Sequence, residues 1–165
     1  AAARSADGNG LAAQLRVVPI PDEQSPVSVQ SCIMQIIEVK DKTTIRRFLN
    51  LPRLFYKNDP YYIPPLEKDI LAVFDPALNS FFKHGSCQRW ILEDASGHTI
   101  GRIAAFINEE KAYKDEQPTG GVGFFECIRD QAAANLLFDT AREWLSHRGM
   151  QAMDGPVNFG ENDKY

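Results

Sequence analysis

The chain has 165 residues, 44% of them hydrophobic and 24% charged, the balance of one soluble globular domain with a single core. A formal net charge of -4 excludes a sequence-independent grip on nucleic acid phosphates, which needs clustered Lys and Arg. Three cysteines, Cys32, Cys87 and Cys127, are odd in number, lie far apart and form no C-x-x-C pair, which argues against a disulfide framework or a zinc site and for free thiols in a reducing cytoplasm.

No apolar run approaches the ~20 residues needed to cross a bilayer, and the first thirty residues lack the continuous apolar region of a secretion signal. Residues 1–31, rich in Ala, Ser, Gly, Pro and Gln with one short apolar patch, LRVVPI, read as a poorly ordered leader. The folded domain is then residues 32–165. Its first element is CIMQIIEVK, Cys32 to Lys40, where Ile, Val and partial alternation favour a strand. Asp41 offers an N-cap to a helix over Thr43 to Asn50, with Ile45, Phe48 and Leu49 on one face. Pro52 suits the first position of a second short helix, RLFYKN, which Asp59-Pro60 ends.

Pro65 opens a further helix through LEKDILAVF, with Leu66, Ile70, Val73 and Phe74 facing inward, before the loop ALNSFFKHGS. The pattern then changes to strands: CQRWILED, a turn at ASGH and TIGRIAAFIN predict a hairpin. A polar loop spans Glu109 to Thr119, and GGVGFFECI, Gly120 to Ile128, predicts another strand. Asp130 caps a helix from about Gln131 to Arg148 whose apolar face is Ala133, Leu137, Ala141, Trp144 and Leu145, with Gly149 as a left-handed stop. MQAMDGPVNF is the strand after it. A strand, helix and strand joined in this way imply a right-handed parallel crossover beside an antiparallel hairpin, hence a mixed sheet with helices on both faces, an α/β (α+β) architecture.

Several phrases along this order resemble a known group of proteins: FLNLPRLFYKNDPYYIPPLEKD, DPALNSFFKHG, GRIAAFIN, GFFECIRD and GPVNFGEND, which together span Phe48 to Asp163. The chain resembles GNAT-fold acyltransferases, and within them a bacterial family related to bacterial ceramide synthase. The resemblance implies an acyl-CoA-dependent N-acyltransferase acting on an amine, with a long-chain sphingoid-type amine as the family-based acceptor and no metal. It also implies a further helix and strands past Tyr165 that close the ligand cleft, so that residues 32–165 are an incomplete GNAT-like domain with an uncovered sheet edge.

In such enzymes the fourth and fifth strands splay apart, the pantetheine arm lies in the gap, and the pyrophosphate rests on N–H groups at the start of the next helix, a place where unpaired donors and the macrodipole favour anions. The resemblance carries this cofactor role onto Phe125, Cys127, Ile128, Arg129, Gln131, Ala132, Ala133 and Ala134. The usual pattern of Arg or Gln, two residues, Gly, one residue, Gly or Ala is imperfect here. Ala133 takes the small-residue position, but Gln131 stands for the glycine and Ile128 for the Arg or Gln, with Arg129 one step away. An ordinary capped helix on a sheet is the competing reading, and Asp130 at the same place opposes an anion.

Glu126 falls where GNAT enzymes place a general base for the incoming amine, and its neighbours Phe125 and Cys127 suggest a dry cleft that raises a carboxyl pKa; strand alternation onto a wet face is the alternative. Asn158 is read as a catalytic amide that polarises the thioester carbonyl, and Asn162 as a substrate contact, against a simple side-chain-stabilised turn. His84 and Phe82 are read as substrate contacts, and the doublets Phe81-Phe82, Tyr61-Tyr62 and Phe124-Phe125 either line an apolar tunnel or belong to the core. A non-catalytic binding or regulatory module that has lost acyl-CoA use stands as the rival function. The implied setting is cytoplasmic, with peripheral contact to the inner membrane face left open and no nucleic acid partner.

Overall fold

A computed structural model of the chain describes residues 33–114, 116–157 and 159. The leader read for residues 1–31, and the site residues Asn158 and Asn162, lie outside the described residues.

The elements follow in the order β1 (Gln35–Glu38), α1 (Lys42–Phe55), α2 (Glu67–Val73), a 3-10 turn at Ser80–Lys83, β2 (Gly85–Glu93), β3 (Thr99–Asn108), the single-turn α3 (Glu109–Ala112), β4 (Thr119–Cys127), α4 (Gln131–Ser146) and β5 (Ala152–Asp154). The strands make one sheet in the order β1-β2-β3-β4-β5. Pairings from β1 to β4 are antiparallel and β5 runs parallel to β4, as a crossover through α4 requires.

Successive strand residues point to opposite faces, and this sorts the core into two layers. Trp90, Leu92, Ile103, Ala105 and Ile107 join the buried stripe of α4, Ala133, Leu137, Ala141 and Leu145. Ile91 and Ala104 turn the other way and meet Val39 and Phe48 of α1. The four-residue spacing of the α4 stripe keeps it on one helical face, and burying each of its leucines is worth about 1.5–3 kcal/mol. At its ends, the Asp130 carboxylate accepts the Ala133 N–H at 2.7 Å, and Gly149 adopts φ +84 to stop the helix.

Three sequence expectations are corrected. The first two helices are one: α1 runs unbroken through Pro52 from a capping box in which Asp41 accepts the Thr43 and Thr44 N–H groups. Pro52 removes only one helical bond, that to the Phe48 carbonyl, and the helix continues for a further turn. Leu66 does not face inward; it is 60% exposed, because α2 begins after it and buries only Ile70. The outer strands are shorter than their apolar runs: β1 keeps four residues and β5 three.

Candidate active site

The site is built on an irregularity in β4. Against β3, Gly101 pairs with Cys127 and Arg102 with Glu126, but the next register is Ala104 with Gly123. Two steps along β3 thus match three along β4, a bulge whose extra residue is Phe124 at φ 52. This left-handed backbone is unfavourable for a bulky side chain. Its effect is on parity. Val122 faces α4, and strict alternation would send Glu126 to that same face. With the bulge, Phe124 joins Phe48 on the α1 face, Phe125 stacks on Phe138 of α4 at 4.5 Å, and Glu126 emerges on the α1 side.

There the Glu126 carboxylate accepts a hydrogen bond from Arg102 Nε at 2.5 Å. Arg102 is 7% exposed and is fixed in turn: its Nη1 donates to the Phe48 carbonyl at 2.7 Å, and its guanidinium lies 4.7 Å from the Phe48 ring centroid. The carbonyl it uses is the one that Pro52 leaves without a helical donor. The structure therefore gives Glu126 a cationic partner rather than the solely apolar surroundings its sequence neighbours suggest. Its Oε2 is engaged, and Oε1 has no partner among the described residues.

A pocket of about 290 Å³ opens over this pair. Leu49 and Pro52 of α1, Ile70 of α2 and Phe124 of β4 make its apolar wall, Tyr62 enters from the connection between the helices, and Pro156 closes it near β5. Burial pushes the Tyr62 phenol above its ordinary pKa, with Arg102 pulling the other way. An Arg53–Glu67 ion pair of 2.9 Å stands half-exposed at the rim.

Next to the pocket, β4 and β5 part. They pair at Thr119 with Ala152, Gly120 with Met153 and Gly121 with Asp154, and one more bond joins the Val157 N–H to the Val122 carbonyl at 2.9 Å. From Phe124 to Cys127, β4 has no partner on this side among the described residues. The closed half depends on small residues: a Cβ at Gly121 would meet the Phe106 ring, and one at Gly123 the Val157 carbonyl oxygen.

At the start of α4, the implied phosphate donors are only partly free. The Ile128 N–H bonds to the Ile100 carbonyl, Ala133 to the Asp130 side chain and Ala134 to the Asp130 carbonyl, which leaves Arg129, Gln131 and Ala132 as N–H groups without acceptors among the described residues. The Gln131 side chain donates to Asn135 at 2.8 Å and so lies along the helix instead of across its end. Arg129 is exposed. The Cys127 thiol, under this turn, is pushed up by burial and by Asp130.

His84 and Phe82 do not line the pocket. Gly85 pairs with Asn108, six residues along β3 from Arg102, which puts them about 20 Å away at ~3.3 Å per residue. His84 Nε2 lies 3.6 Å from the Glu110 carboxylate, and Phe82 packs edge-on against Phe159. Of the aromatic doublets, Tyr62, Phe124 and Phe125 reach the pocket, while Tyr61 is 89% exposed and Phe81 belongs to the cluster with Phe106 and Phe159. Arg102 and Pro52 are the site residues that sequence reasoning missed. The signal for Arg102 was available: it is the one charge within the apolar run TIGRIAAFIN. Among the described residues, no three His, Cys, Asp or Glu side chains gather as a metal site, and no helix is long and apolar enough to cross a membrane.

A mixed sheet whose parallel fourth and fifth strands diverge beside a helix N-terminus is the GNAT arrangement, and the chain has the GNAT acyltransferase fold. It superposes on AAC(6')-Iy in complex with the bisubstrate analogue CoA-S-monomethyl-acetylneamine with a TM-score of 0.53 at 18% identity, covering 76% of this chain and 80% of that one. A tandem GNAT protein from the clavulanic acid biosynthesis pathway gives 0.52 at 18% identity, covering 70% and 34%. In sequence, the chain is similar to the bacterial ceramide synthase of Caulobacter vibrioides (strain NA1000 / CB15N), with 31% identity over 144 residues, 84% of this chain and 36% of that protein. Protein YghO of Escherichia coli (strain K12) is 28% identical over 127 residues, 75% of this chain and 31% of that protein. The chain spans about a third of the length of the curated relatives it matches. No family model matches it.

Proposed function

We propose that this chain carries the amine side of an acyl-CoA-dependent N-acyltransferase, with a long-chain sphingoid-type amine as acceptor. The observation that carries the reading is the parting of β4 from β5 beside a pocket that holds the Glu126 carboxylate. In the reaction, the amine nitrogen bonds to the thioester carbonyl carbon, Glu126 takes the proton the nitrogen loses, the carbon–sulfur bond breaks, and the departing CoA thiolate takes up that proton, which returns Glu126 to its carboxylate. The free N–H groups of Gln131 and Ala132 would face the CoA pyrophosphate, and Asn158 would hold the carbonyl oxygen. The apolar wall of Leu49, Ile70 and Phe124 suits a hydrocarbon chain better than a sugar. A cytoplasmic protein touching the inner membrane face, where such an amine resides, follows from that acceptor.

The test is to incubate the full natural chain with a long-chain acyl-CoA and a sphingoid base, following thiol release and amide product by mass spectrometry. Amide formation is expected; thiol release without amide, or neither, overturns the reading. A non-catalytic acyl-CoA-free module is the second reading, favoured by the Asp130 carboxylate already seated on the first turn of α4. Calorimetric titration with acyl-CoA separates the two: binding that Gln131→Glu abolishes supports the enzyme, and no binding supports the module.

A further inference from the structure

Pro52 stands inside α1, where a proline removes a backbone bond and crowds the carbonyl four residues earlier. That carbonyl belongs to Phe48 and is buried. A buried carbonyl without a donor is costly, and here the donor arrives from another element, 54 residues away in sequence: Arg102 Nη1 at 2.7 Å. The same guanidinium uses Nε to hold Glu126 at 2.5 Å. Its plane is boxed by the Phe48 ring at 4.7 Å and the Phe124 ring at 5.9 Å. Pro52, Arg102, Phe124 and Glu126 all line the one pocket.

We propose that Pro52 is a positioning residue: by withholding an N–H from the Phe48 carbonyl it fixes Arg102, and through Arg102 it sets the orientation in which Glu126 presents its unpaired oxygen to the pocket. The catalytic use of this relay rests on the reading of Glu126 as proton acceptor. The geometry needs the arginine fork, because a lysine ammonium offers a single point of donors and cannot hold the carboxylate and the carbonyl in one rigid plane. It also separates stability from activity. An alanine at position 52 restores a helical donor that competes with Arg102 for the Phe48 carbonyl, so the helix gains what the site loses.

The test uses Pro52→Ala and Arg102→Lys in the full natural chain. For Pro52→Ala the expected result has three parts: a thermal midpoint at or above that of the parent, loss of the slowly exchanging Arg102 guanidinium N–H resonance by NMR, and kcat down roughly ten- to hundredfold with KM for acyl-CoA unmoved. Arg102→Lys should show the same kcat loss. A lower thermal midpoint, an unchanged Arg102 resonance or an unchanged kcat in Pro52→Ala overturns the proposal. The two readings fail separately: full turnover by Glu126→Gln overturns the base assignment and the catalytic use of the relay, whereas a persisting Arg102 resonance in Pro52→Ala overturns the relay whatever the rates.

Discussion

The two halves of β4 are made on different plans. From Thr119 to Gly123 the strand is glycine-rich, bonded to β3 on one side and to β5 on the other, and its lack of side chains lets Phe106, Leu145 and the Val157 carbonyl close in. From Phe124 to Cys127 it carries large or polar side chains, keeps β3 and loses β5. The first half anchors and the second half serves the site. One strand manages both because the bulge at Phe124 separates them, changing face and pairing within a single residue.

The largest effect expected from breaking this division is on the serving half. Glu126→Gln keeps an acceptor for Arg102 but removes the base, and turnover should fall about 10²–10⁴-fold, the usual worth of general base catalysis, with acyl-CoA affinity by calorimetry little changed. Unaltered turnover would take Glu126 out of the chemistry. On the anchoring half, Gly123→Ala should leave the chemistry's groups in place and cost stability, about 1–3 kcal/mol for forcing a methyl group against the Val157 carbonyl. A urea unfolding curve indistinguishable from the parent's would contradict the close approach.

The smallest effect concerns the thiols. Burial pushes the Cys87 thiol from 9.0 up to about 12, while Cys127, at the open end of β4, is raised as well. Between these values the unfolded chain has already released the Cys87 proton and the folded chain still holds it, so the folded state binds more protons and stability falls as pH rises above about 9. Below pH 9 the contribution is fully present. Urea midpoints at pH 8 and pH 10 should therefore differ more in the parent than in Cys87→Ala, and equal differences would dismiss the assignment.

The layers of the fold were legible in the sequence because they depend on period. The α4 stripe from Ala133 to Leu145, the β2–β3 hairpin and the parallel return through β5 all follow from spacing and turn residues. Pro52 misled the reading of α1 because local rules place proline at helix starts, whereas here a tertiary donor, Arg102, satisfies the carbonyl it orphans. Glu126 could be singled out in GFFECIRD, but neither its face nor its partner could be. The face turns on a left-handed Phe, which no propensity favours, and the partner lies 24 residues back along the chain, fixed only by strand register. His84 drew notice as a chemically capable side chain, yet register carries it to the far end of the sheet.

The bulge also means that the site is written in a residue count as well as in residue identities. The span from Gly123 to Glu126 holds one unit more than a regular ladder needs, so straightening β4 without losing a residue would carry Glu126 through the sheet toward α4 and leave a buried guanidinium with no anion. Removing Phe124 as well would restore a regular ladder between the pairs Arg102 with Glu126 and Ala104 with Gly123, and the carboxylate would stay beside Arg102. This short stretch can therefore lose its extra residue and keep the site, but it cannot keep the residue and lose the bulge.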